Sequence, residues 1–166
     1  FAVTAGIGSE QAQQYYQAQG DDYKNLLMQS LTDRLAEAFA EHLHQRVRKA
    51  FWGYRPDEDF TNAQLIAEEY DGIRPAGGYP ACPEHSEKRP LFGLLQAGEN
   101  AGITLTENFA MHPASSVSGW YFSYPGARYF SVGKIEKDQV EDYARRKNIP
   151  LARAEQLLRT NLNYKA

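Results

Sequence analysis

The chain has 166 residues, of which 42% are hydrophobic and 23% charged, with a formal net charge of −3. That length suits one domain of ordinary size, or a piece of a larger one, with the composition of a soluble globular chain. A mild negative charge gives a nucleic-acid role no electrostatic support, no apolar run reaches the ~20 residues of a membrane-crossing helix, and a single cysteine excludes an internal disulfide and suits a reducing cytosol.

Phe1 to Ala5 reads as a strand closed by Gly6-Ile7-Gly8, an opening that suggests a cut from a longer polypeptide. A helical pattern begins near Gln11. Asp21 or Asp22 is placed to cap a second, long helix. Within it Leu27, Leu31, Leu35, Ala38 and Phe39 recur at three- and four-residue spacing, which predicts the core face. Run to Phe51, this helix is about 45 Å long at 1.5 Å per residue and becomes the scaffold. Thr61 and Gln64 form a capping-box pattern for a short helix through Tyr70, ended by Asp71-Gly72. Another helix is expected from Ser86 to about Gly98, with Pro90 in its first turn.

The texture then changes to strands. Thr104–Thr106, Val117–Phe122 and Arg128–Ile135 are β-like, and Tyr124-Pro125-Gly126-Ala127 is turn chemistry. The last two runs are expected to pair as an antiparallel hairpin, with Tyr129 and Phe130 on opposite faces. Asp138 is placed to cap a helix through Lys147, and a last helix follows Pro150 with Ala152, Ala154, Leu157 and Leu158 for packing. The expected class is α+β, with long central helices against a curved antiparallel sheet.

The densest chemistry lies in Arg74-Pro75-Ala76-Gly77-Gly78-Tyr79-Pro80-Ala81-Cys82-Pro83-Glu84-His85. Prolines fix φ and glycines open positive φ, so this loop is shaped, and Arg74 at its edge is suited to clamp an anion. A rigid connector is the plainer reading. Cys82 and His85 lack a second Cys/His pair for zinc, and no signature activates Cys82 as a nucleophile. His42 and His44 point in different directions along a helix and read as structural or exposed. Gly77-Gly78 follows no strand and opens no helix, so no phosphate loop is present. Taken alone, Glu37 is a solvated helix carboxylate.

Several of these motifs together resemble the activation domain of cobalamin-dependent methionine synthase. The loop Arg74 to Pro83 is similar to that family's Arg-x-x-x-Gly-Tyr loop. Asp33 to Glu41 resembles its central helix, Val117 to Ser123 its hairpin and Asp138 to Ala144 its late helix. The resemblance runs from residue 1 to Tyr164. It implies that residues 1–166 are a single activation domain, part of a larger multidomain enzyme and without the domain's N-terminal part. It implies S-adenosylmethionine as methyl donor for reductive methylation of cob(II)alamin, within a 5-methyltetrahydrofolate–homocysteine methyltransferase of the cytoplasm. Cobalamin and zinc would belong to other domains. The implied partners are the cobalamin-binding domain of the same polypeptide and flavodoxin or another flavoprotein reductase, with no nucleic acid and no membrane. The isolated domain would carry no catalytic residue and would not turn over alone.

Residue by residue, the resemblance implies that Arg74 contacts the methionine carboxylate and that the backbone at Ala76 meets the ligand. Tyr79 would face cobalamin, Tyr129 and Phe130 would line the site, and Glu37 would be a groove carboxylate, displacing the solvated reading. Two departures stand out: Gly77 where the family often has proline, and His112 where tryptophan is common. The alternative is a docking module for flavodoxin or the cobalamin domain with no ligand of its own.

Overall fold

In the computed structural model, which describes residues 1–166, the chain opens with strand β1 (Ala2–Thr4), helix α1 (Ser9–Ala18) and the 25-residue helix α2 (Asp22–Arg46). Asp21 caps α2 by accepting a hydrogen bond from the Lys24 amide at 3.0 Å. A wide π-helical turn, Val47–Phe51, ends it.

The inward face of α2 is not the leucine stripe. Thr32, Ala36, Ala40 and His44, spaced by four, are buried. Leu27, Leu31, Leu35 and Phe39 are 53%, 52%, 51% and 46% exposed, and Ala38 is exposed too. The cause is what α2 lies against. It packs on α1 and crosses β1 and the strand β4 (Ser116–Ser118), and close packing against the strands favours the small side chains Thr32, Ala36 and Ala40. The contact is partly polar: Ser115 Oγ lies 2.8 Å from Thr32 Oγ1 and 2.6 Å from Asp33 Oδ1.

After α2 come α3 (Asn62–Ile66), which carries the expected Thr61/Gln64 capping box, and α4 (Lys88–Leu95). Gln96, with φ of 47°, turns the chain out of α4 and into α5 (Ala97–Ala101), so the single helix expected there is two. Strands β2 (Thr104–Leu105) and β3 (Met111–His112) pair with each other, and β1 pairs antiparallel with β4 in the register Ala2–Ser118 and Thr4–Ser116. Helices α6 (Lys137–Lys147) and α7 (Leu151–Leu157) complete the chain. Glu136 rather than Asp138 is the α6 cap, closing a capping box with Gln139. Two apolar cores form, one around Leu91, Phe92, Ala97 and Ile103, the other around Ile135, Val140, Ala144, Ala154 and Leu158. No helix is long and apolar enough to cross a membrane.

The fold class is α+β: seven helices with two small antiparallel sheets. The expected hairpin is absent as a hairpin. Its turn exists, with Ala127 N donating to Tyr124 O at 2.9 Å, but its two arms do not pair. They hold the loop at 73–82 between them. Ile73 and Phe122 exchange backbone hydrogen bonds of 2.9 and 3.0 Å, Trp120 N donates to Pro75 O at 3.0 Å, and Val132 N donates to Pro80 O at 3.0 Å. Prolines lack an N–H but keep a carbonyl, so the loop can accept from both arms without completing a ladder. Tyr129 and Phe130 therefore lie on irregular backbone.

Candidate functional site

The gripped loop forms one wall of a cleft of about 490 Å³. Close packing explains Gly78 in the loop and Gly119 beside it. Gly78 has φ of 97°, and a Cβ there would sit 2.3 Å from the His85 ring. A Cβ on Gly119, in the opposing arm, would sit 2.4 Å from the Pro75 carbonyl oxygen. The loop closes on itself where Gly78 N donates to Cys82 O at 2.7 Å and Cys82 N to Tyr79 O at 2.9 Å.

Arg74, Ala76, Tyr79, Tyr129, Phe130 and Glu37 all line this one cleft. Glu37 reaches it from α2, and Tyr129 and Phe130 from the far arm. Arg74 and Tyr129 are joined directly, because the Arg74 amide donates to the Tyr129 hydroxyl at 3.0 Å. Tyr79 and Phe130 are 62% and 64% exposed at the rim. Phe1 and Lys88 also face the cleft. Lys88 Nζ donates to Phe109 O at 3.2 Å and lies 3.0 Å from His85 Nδ1. Burial pulls the Lys88 ammonium below its ordinary pKa.

Arg74 is anchored from behind by residues that sequence reasoning missed. Its Nη1 lies 2.7 Å from Glu41 Oε2, donates to the Tyr70 hydroxyl at 2.5 Å, and lies 3.5 Å from His44 Nδ1. Burial opposes its charge, but Tyr70 and Glu41 more than offset this, so its pKa rises and it stays cationic. His44 is wholly buried. Burial, then the Arg48 and Arg74 guanidinium groups, push its pKa down to about 3, so the ring is neutral near pH 7. A signal for Glu41 and His44, though not for Tyr70, was present in the sequence. Glu37, Glu41, His44 and Arg48 fall at i, i+4, i+7 and i+11, one face of a helix.

Chemically, the cleft offers a cationic fork at Arg74, a carboxylate at Glu37 and aromatic walls at Tyr129 and Phe130. This combination suits an amphoteric ligand bearing both a carboxylate and a cationic centre. A larger hollow of about 810 Å³ lies on the other side of Phe130, walled by Ile73, Trp120 and Phe122. The smaller cleft, with Arg74 and Glu37 converging between aromatic walls, is the better candidate. Burial raises the Cys82 thiol pKa, which leaves it protonated and unreactive. No group of three or more His, Cys, Asp or Glu side chains is placed to hold a metal ion.

The family model of the vitamin B12 dependent methionine synthase activation domain matches residues 1–148. Among solved structures, the crystal structure of the MetH reactivation domain bound to AdoHcy is 53% identical, with a TM-score of 0.97 over 99% of this chain. The match takes in 50% of that solved chain, so the present chain spans half its length. The chain belongs to the activation-domain family of vitamin B12 dependent methionine synthase.

Proposed function

We propose that the cleft binds S-adenosylmethionine and presents it as the methyl donor in the reactivation of a cobalamin-dependent methionine synthase. The observation that carries this reading is the convergence of Arg74, Ala76, Tyr79, Tyr129, Phe130 and Glu37 on one cleft. It is supported by a 53% identical relative solved with AdoHcy, the molecule that S-adenosylmethionine becomes on losing its methyl group.

Arg74 takes the methionine carboxylate in a charge-assisted contact, and the backbone at Ala76 meets the ligand beside it. Glu37 and the rings of Tyr129 and Phe130 face the sulfonium and the flat base. Tyr79, at the rim, faces the neighbouring domain. Cobalamin held by that domain supplies the methyl acceptor, with flavodoxin or another flavoprotein reductase as electron source for the reductive methylation of cob(II)alamin. Zinc belongs to a further domain of the same 5-methyltetrahydrofolate–homocysteine methyltransferase, a cytoplasmic enzyme in this reading. Residues 1–166 act as one unit of it and do not turn over alone.

Calorimetric titration of S-adenosylmethionine into the wild type and Arg74→Ala tests the reading. A hydrogen bond to a charged group contributes about 1.5–3 kcal/mol, so Arg74→Ala should weaken binding by roughly 10- to 100-fold. Equal binding by both proteins contradicts the role of Arg74. A second reading, a docking module without its own ligand, draws on the exposed apolar stripe of α2 and the exposed rings of Tyr79 and Phe130. Capture of a reductase or cobalamin domain that ignores S-adenosylmethionine would favour it.

A further inference from the structure

Behind the cleft runs a continuous stack of side chains that the functional reading has not used. The Phe1 ring, itself on the cleft, stacks on Tyr121 at 4.6 Å. Tyr121 stacks on His44 at 4.9 Å with the planes 17° apart. His44 meets Tyr70 edge-on at 5.1 Å, and the Arg48 guanidinium caps Tyr70 at 3.7 Å. Arg48 is fixed in turn by two hydrogen bonds to Glu58, of 2.6 and 2.8 Å. Tyr121, His44 and Tyr70 are therefore each held on two sides, which fixes the His44 ring beside Arg74.

The contacts at Arg74 are one-sided. Glu41, Tyr70 and His44 all meet the same nitrogen, Nη1. Nη2 and Nε are left for a ligand, and these two donors form the fork that matches a carboxylate. Nη1 has two hydrogens, and Glu41 Oε2 at 2.7 Å and the Tyr70 hydroxyl at 2.5 Å are their nearer acceptors, so His44 Nδ1 at 3.5 Å is a third, longer acceptor on the same side, with the ring proton on Nε2. His44 Nε2, Tyr121 Oη, Glu41 Oε1 and Arg48 Nη1 are buried without a protein partner. Buried polar atoms are costly to leave unpaired, and here they surround the one arginine that the ligand reading needs. That cost is consistent with a cluster kept for positioning rather than for stability.

We propose that His44 is a positioning residue for Arg74: clamped between Tyr121 and Tyr70, it sets an acceptor beside Nη1, the third on that side after Glu41 and Tyr70, and so keeps the Nη2–Nε fork turned toward the ligand's carboxylate. A carboxylate at position 44 would instead compete with the ligand for the guanidinium. A lysine there would repel it. The neutral state follows from the ring's burial first and then from the nearby Arg48 and Arg74 guanidinium groups. This inference rests on the reading that Arg74 binds the methionine carboxylate.

The test compares S-adenosylmethionine with decarboxylated S-adenosylmethionine, which keeps the sulfonium, amine and base and lacks only the carboxylate. Affinities are measured by calorimetry for wild type, Arg74→Ala, His44→Phe and His44→Asn, with circular dichroism and thermal melts as the check on folding. The wild type should prefer the carboxylate-bearing ligand by about tenfold or more, the ratio that about 1.4 kcal/mol gives. His44→Phe keeps the stacking ring and removes the acceptor. It should lose most of that preference while binding the decarboxylated ligand as the wild type does. His44→Asn restores an acceptor and should recover part of the preference; it also carries the test if His44→Phe does not fold. An equal drop for both ligands in the folded variants would mean a merely structural role and overturn the inference. If Arg74→Ala removes the preference and the His44 variants keep it, the inference fails and the carboxylate reading stands. If the wild type shows no preference, both fail.

Discussion

Helix α2 and the α6–α7 pair obey the same helical periodicity and resolve it in opposite ways. In α6–α7 the apolar residues at helical spacing are the buried ones: Val140, Ala144, Ala154 and Leu158 close around Ile135. In α2 the leucines face out, and Thr32, Ala36, Ala40 and His44 face in. The α6–α7 pair closes around hydrocarbon alone. α2 packs on α1 as well as across the strands β1 and β4, and its inner face is partly polar, small at Thr32, Ala36 and Ala40 and large at His44. The same inner face continues into the π turn as Arg48, which is wholly buried against Glu58. Hydrocarbon packing holds the C-terminal pair, whereas close approach and buried polar contacts hold the cleft.

That contrast can be broken at several points, and the largest effect is expected at Glu58. The Arg48–Glu58 side chains are 0% and 2% exposed, so Glu58→Gln leaves a buried guanidinium uncompensated. The variant should lose about 3–5 kcal/mol of stability in urea denaturation. On the C-terminal side, Leu158→Ala opens a cavity in an apolar core and should cost about 2–5 kcal/mol. Ala40→Leu, at a wholly buried position, puts four heavy atoms' worth of side chain against a strand and should cost roughly 1–3 kcal/mol.

Acid should act on α2 through His44. Its folded pKa lies below that of the unfolded chain, so between about pH 6.5 and its folded value the unfolded state binds the extra proton. Stability is full above pH 6.5 and falls with acidification by up to about 1.4 kcal/mol per pH unit. The charged groups around the ring are the Arg48 and Arg74 guanidiniums, with Glu58 on Arg48 and Glu41 on Arg74, and burial raises the Tyr70 and Tyr121 hydroxyls so that they stay protonated. Stability measured at pH 7 and 5 should therefore drop more in the wild type than in His44→Phe. The smallest effect is expected at Leu31, half exposed on the outer stripe: Leu31→Asp should change stability by no more than about 0.5 kcal/mol. A loss of several kcal/mol there would mean that the stripe is core after all.

These positions also mark what could be read from the sequence. The caps at Asp21 and Thr61, the existence of α2 and the turn at 124–127 follow from local chemistry, which a single chain carries in full. Which stripe of α2 faces in depends on its neighbour, and periodicity does not report that. The hairpin failed for a similar reason. Its arms have strand composition, but the loop at 73–82 occupies the space between them, a long-range event that no local pattern encodes. The cleft residues became legible through family resemblance, which brought Arg74, Tyr129 and Glu37 together before any distance did. Of the supports of Arg74, Glu41 and His44 share a helix face with Glu37, whereas Tyr70 is singled out only by its contact with Arg74.

The most direct measurement is a crystal structure of this chain grown with S-adenosylmethionine. The account predicts the ligand in the cleft, its carboxylate on the Nη2–Nε fork of Arg74 about 2.7–2.9 Å away, its base against Tyr129 and Phe130, and His44 still at Nη1. A ligand seated elsewhere, or one in the cleft with its carboxylate turned away from Arg74, would contradict it.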